Sequence, residues 1–165
     1  MFKFSHKNLV IMAGVTWLVI GVFLLTLGLK FIGQVATSAP GHTSSFLPAF
    51  ANYFGSKEIA ATGLIAAALL IGYFKSRFVL SKSVHRVVNR IKTLSNPAPL
   101  YKLYNPSYFL IIGVMMGLGM MMKYLNVPMD LRGAIDVAVG AALVNGATMY
   151  FRKASHINNK GTVVQ

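Results

Sequence analysis

The chain has 165 residues, of which 55% are apolar and only 12% charged, against about 25% charged in an ordinary soluble domain. So few charges cannot coat a water-facing surface, yet 16 Lys and Arg against 3 Asp and Glu leave a formal net charge of +13. A nucleic-acid binder would share the basic charge but not the long uncharged apolar runs, and the absence of cysteine excludes disulfides, thiolate metal sites and cysteine nucleophiles.

Four apolar runs follow in chain order. Leu9 to Leu29 carries no charge over 21 residues, enough to cross a hydrocarbon core about 30 Å thick. It exceeds a cleavable leader, and Pro40 sits badly after the small residues at 36–39, so it reads as a retained helix. The second run, Ile59 to Phe74, continues into Lys75 and Arg77, whose stems can snorkel. The third, Tyr108 to Met122, ends on Lys123; the fourth, Gly133 to Phe151, contains one charge, Asp136. The reading is an all-α polytopic membrane protein forming one domain over residues 1–165, with four transmembrane helices in two helical hairpins. The spans are expected at about 8–32, 58–76, 107–125 and 132–152, with an outer loop at 33–57 and an inner interfacial helix at about 76–95.

Basic residues set the direction. With the N-terminus inside, the inner segments hold 12: Lys3, Lys7, Lys75, Arg77, Lys82, Arg86, Arg90, Lys92, Lys102, Arg152, Lys153 and Lys160. The outer side receives 4, Lys30, Lys57, Lys123 and Arg132, together with all three acids, Glu58, Asp130 and Asp136. Positive-inside bias therefore puts both termini in the cytoplasm, in a membrane of the bacterial inner type.

Small residues mark packing faces. Gly14, Gly21 and Gly28 recur every seven positions in the first run, Gly113 and Gly117 form a GxxxG, and Ala134, Ala138, Ala142 and Gly146 form a stripe at spacing four. Such faces let helices approach closely, within one chain or across a homo-oligomer seam. A shift of 77 residues aligns Ala61, Gly63, Tyr73, Phe74 and Lys75 with Ala138, Gly140, Tyr150, Phe151 and Arg152. That alignment reads either as a parallel repeat of two hairpins or as the composition that unrelated membrane helices share.

After the second run, Leu80, Val84, Val87, Val88, Ile91 and Leu94 form a helical apolar stripe, with Lys82, Arg86 and Arg90 at spacing four opposite. This is expected to be an amphipathic helix bending along the inner leaflet. Lys75, Arg77, Lys82, Arg86 and Arg90 are the candidate ligands for anionic lipid headgroups. In the outer loop, Phe46, Leu47, Phe50, Tyr53 and Phe54 form an apolar cluster expected at the outer interface.

Little points to a reaction. Asp136 is the one acid inside a predicted span, and such residues are candidates for proton or cation coupling. It also lies near the outer end of its helix, four residues after Arg132, where a carboxylate serves the helix dipole. Asn145 and Thr148 join it as candidate coupling or substrate residues, with interhelical hydrogen bonding as the alternative role. Met116 and Met120 share the MxxxM spacing of small copper permeases. The chain lacks their cysteines and methionine-rich tail, so the methionines read as adaptable packing. The four histidines, His6, His42, His85 and His156, show no ligand spacing, and no metal or other cofactor is implied. In size and span number the chain is similar to small multidrug transporters. Those carry a glutamate in the first helix, whereas Leu9 to Leu29 holds no acid. With no phosphate loop, nucleophile elbow or paired carboxylates, a non-enzymatic role is expected. That role is structural, accessory or lipid-interacting; the alternative is an oligomeric transporter or channel subunit.

Overall fold

A computed structural model describes residues 3–4, 6–38, 46–81, 84–86, 88–89, 98–99, 113, 117 and 119–160. Most of the expected third span lies outside the described residues, as do Lys82, Arg90, Met116 and His42. The described architecture is all-helical apart from one two-residue bridge. Its main helices are α1 (His6–Thr37), α2 (Leu47–Phe54), α3 (Lys57–Lys75) and α4 (Met129–Lys160). Lys3–Phe4 and Ala98–Pro99 form an antiparallel bridge beside the start of α1.

Among the described residues, three helices are long and apolar enough to cross a membrane: Lys7–Thr37, Lys57–Phe78 and Met129–His156. Helix α1, with 32 residues, outruns its apolar stretch, reaching about 48 Å at 1.5 Å per residue. Its polar end stays helical because Thr37 and Ser38 donate their hydroxyls to the Gly33 and Gln34 carbonyls at 3.0 and 2.6 Å. The outer loop expected at 33–57 is therefore shorter at its start and contains α2. Gly55 ends α2 in the left-handed region at φ 81°. Ser56 opens α3, its Oγ accepting the Ile59 N–H at 3.3 Å. Below α3 the backbone widens into a π-helical turn, Ser76–Leu80. Helical residues continue at Ser81, Val84–Arg86 and Val88–Asn89, and the rest of the inner helix expected at about 76–95 lies outside the described residues.

Helices α1 and α4 run antiparallel with their backbones in contact. A Cβ built on Gly28 would lie 2.6 Å from the Gly133 carbonyl oxygen, and one on Gly133 2.8 Å from that of Gly28. One turn-pair away, a Cβ on Gly21 would meet the Gly140 carbonyl oxygen at 3.0 Å, and one on Gly140 the Gly21 carbonyl oxygen at 2.7 Å. Each step of seven along α1 is matched by a step of seven back along α4, where Ala147 continues the series fully buried. Gly28 and Gly21 thus face Gly133 and Gly140, while Gly14 meets the side chains of Tyr150 and Phe151. A seven-residue repeat keeps one seam facing its partner along the helices.

Helix α3 runs parallel to α4 on a second face. A Cβ on Gly72 would collide with the Ala138 carbonyl and meet the Ala141 Cβ at 3.0 Å. Ala60, Ala61 and Ala68 pack in one cluster with Ala134, Val137 and, from α1, Ile32 and Val35. Part of the Ala134 stripe is therefore used inside the chain, against α3. Residues matched by the 77-residue shift sit in unlike surroundings: Tyr73 is exposed and Tyr150 is 1% exposed. Among the described residues Gly63 has nothing within 4 Å beyond its own helix, whereas Gly140 touches α1.

These contacts separate glycines that lie within helices. Gly140→Ala is expected to destabilise the protein by about 1–3 kcal/mol, because backbone cannot yield as a side chain can. Gly63→Ala, free of contacts, should be neutral or raise stability by up to about 1 kcal/mol through helix propensity. Thermal unfolding in detergent reads both; equal losses would contradict the packing.

Candidate functional site

At the end formed by the starts of α3 and α4 the decisive side chain is Asp130, which is fully buried. It occupies the first turn of α4, where a carboxylate opposes the positive end of the helix dipole. Its Oδ1 accepts the Leu131 N–H at 2.8 Å, and its Oδ2 accepts the Leu47 N–H at 2.7 Å. One carboxylate thus binds the start of α4 to the start of α2, 83 residues away in the chain. Pro48 sets the helical φ there, and Leu47 goes into the outer cluster. The remaining aromatics of α2 face outward: Phe46, Phe50 and Phe54 are exposed and Tyr53 is 90% exposed. Such a face suits an interfacial helix. Arg132 sits 5.3 Å over the Phe31 ring, its Nε buried without a hydrogen bond.

The candidates within the span do not form one site. Asp136 and Asn145 are nine residues apart on a continuous helix, hence on opposite faces and about 13.5 Å apart along the axis. Asn145 Nδ2 donates to the Ala141 carbonyl at 3.1 Å, and Thr148 Oγ1 donates to that of Asn145 at 2.7 Å. Among the described residues these side chains bond to their own helix, an available satisfaction for a short polar side chain within a helix. Asp136 is half-buried, with Arg132 as the charge acting on it one turn earlier.

The opposite end, where α1 starts and α4 finishes, holds the second group. Lys75, Arg77 and Arg86 are exposed, whereas Lys82 and Arg90 lie outside the described residues. Val84 and Val88, at 1% and 2% exposure, pack with Leu9, Val10 and Ala13 of α1 and Tyr150 and Ala154 of α4. These two valines are therefore spent on the helix bundle rather than on acyl chains, a departure from the amphipathic helix expected on the leaflet. The reason is the antiparallel pairing of α1 and α4, which leaves an apolar hollow that this stripe fills. The contact carries a polar link: Lys153 Nζ lies 3.0 Å from His85 Nδ1.

Sequence reasoning missed Asp130 and His85 as site residues. Asp130 follows Pro128 at a helix start, a place that favours carboxylates, but its partner Leu47 had no local signal. No protein-family model matches the chain, and no curated protein or solved structure matches it.

Asp130→Ala leaves the Leu47 N–H without its acceptor, an expected loss of about 1–3 kcal/mol. Asp130→Asn keeps an acceptor and should lose less. Hydrogen exchange over 46–54 should rise strongly in the first variant and weakly in the second; unchanged exchange in both would remove the assigned role.

Proposed function

We propose a small integral membrane protein of the bacterial inner-membrane type that crosses four times with both termini in the cytoplasm. Its role is structural or accessory and includes binding anionic lipid headgroups at the inner end. The observation that carries this reading is the segregation of charge along the packed helices. Lys7, Lys75, Arg77, Arg86, Arg152 and Lys153 gather at one end without an acid from α1, α3 or α4, whereas toward the other Lys30, Lys57 and Arg132 are accompanied by Glu58, Asp130 and Asp136. Basic residues at one surface favour the anionic inner leaflet.

Support for a fourth span comes from direction. Helices α3 and α4 run the same way, and the Ala98–Pro99 bridge holds the chain beside the start of α1. Between Pro99 and Met129 the chain has to return to the other end. The apolar run Tyr108 to Met122 lies in this interval, with helical residues at Gly113, Gly117 and 119–124. The chain contains no cysteine, so single cysteines report topology without background. Asn126→Cys should react with an impermeant maleimide from outside the cell and Ser155→Cys only after the inner face is opened. Labelling of both from one side would refute four spans.

For lipid, the triple variant Lys75→Glu, Arg77→Glu and Arg86→Glu should lose its retained anionic lipid in native mass spectrometry, at ~1 kcal/mol per basic residue. Undiminished retention would end the lipid reading. A second reading, an oligomeric transporter or channel subunit coupled through Asp136, rests on the half-burial of that carboxylate within α4. A flux assay in which Asp136→Asn matches the wild type would dismiss it.

A further inference from the structure

Packing of α3 on α4 leaves one buried hydroxyl over. Ser76 is 1% exposed, and its Oγ has no hydrogen-bond partner. Hydroxyls elsewhere in the helices bond back to their own turn. Thr16 donates to the Met12 carbonyl at 3.0 Å, Thr62 to that of Glu58 at 2.8 Å and Thr148 to that of Asn145 at 2.7 Å. At Ser76 the carbonyls one turn back are engaged by its own amide N–H, which Gly72 and Tyr73 share. The π-helical turn starts at this residue, and single π turns recur at functional positions in helices.

Register identifies what Ser76 faces. Ala60, Leu64, Ala68, Gly72 and Ser76 follow one another at spacing four along α3, the stripe by which it packs on its neighbours. Gly72 rests on Ala138 and Ala141 of α4. The two helices run parallel, so one turn further on Ser76 comes to Ala142 and Asn145. Asn145 spends its Nδ2 on the Ala141 carbonyl, which leaves its Oδ1 as an acceptor.

We propose that Ser76 and Asn145 hold an internal water molecule between α3 and α4, at the start of the π turn. Ser76 Oγ donates to the water, and the water donates to Asn145 Oδ1. Its second hydrogen goes to the Ala142 carbonyl, which stands to Ser76 as the Ala138 carbonyl stands to Gly72. Three such bonds are what a buried water ordinarily makes. Ala60, Ala61 and Ala68 pack α3 into the helix bundle through carbon alone; Ser76 ends that dry contact with a wet rung. The bridge fixes the level at which α3 leaves α4. It thereby aims the residues beyond the π turn, so that Val84 and Val88 reach Leu9, Val10 and Tyr150.

The site lies inside the helix bundle and goes beyond the lipid reading, so it is tested on the full chain in uncharged detergent. In NMR of the wild type, the Asn145 side-chain amide protons should show a cross-peak to water with the sign of a long-lived contact. Ser76→Val, whose methyls take the water's place, should abolish that cross-peak. In an equilibrium unfolding titration, Ser76→Ala should lower the folding constant about fivefold, the loss of one buried hydrogen bond. Asn145→Ala should also lower it, and the double variant should lose less than the product of the two, because both side chains act through one water. A wild type without the cross-peak, or a cross-peak that survives in Ser76→Val, would overturn the site. So would a Ser76→Ala protein as stable as the wild type or more so, which would show the hydroxyl to be idle. Coupling between Ser76 and Asn145 without any water signal would replace the bridge by a direct bond.

Discussion

Backbone meets backbone where α1 crosses α4, and the remaining helices are arranged around that contact. Lipid tails are as apolar as leucine, so two membrane helices gain little from hydrophobicity alone; they gain from close packing. Gly21 against Gly140 and Gly28 against Gly133 allow an approach that any side chain would block. The approach is reciprocal and repeats every seven residues, so it fixes direction and register together. With α1 and α4 antiparallel, α3 seats Gly72 and its alanines on a different face of α4. The two ends of the seam are then closed by separate apolar clusters, one under α2 and one under the extension of α3.

Electrostatics follows from this arrangement. Because α4 starts at the end where α1 finishes, Asp130 reaches the outer loop and pins α2 by its first backbone N–H. The opposite ends gather lysine and arginine from α1, α3 and α4 without a nearby acid. Clusters of lysine and arginine beside a membrane helix are in general attracted to anionic headgroups.

Much of this was legible from residue type and spacing. The apolar runs announced α1, α3 and α4, and the heptad glycines announced the face that α1 uses. What spacing could not supply was the partner. Gly133 and Gly140 answer the glycines of α1, but they lie more than a hundred residues away and were read as part of other patterns. The stripe at Val84 and Val88 had the right period for a membrane-surface helix; an intramolecular hollow satisfies the same period. Asp136 drew attention because it lies inside a span, whereas Asp130, at a helix start, carries the structural bonds. Local chemistry told that a carboxylate belonged there, and only the folded chain shows which distant N–H it holds.

The contact between α1 and α4 is tested most directly by disulfide scanning, since the chain has no cysteine of its own. With Val137→Cys fixed, single cysteines are moved through positions 24–32 of α1 and the protein is oxidised in membranes. Intramolecular cross-linking should peak at Leu25→Cys and Ile32→Cys, which pack in one cluster with Val137 on either side of Gly28, and positions on the far side of the helix should stay low. A flat profile, or cross-links forming only between molecules, would contradict the antiparallel glycine seam.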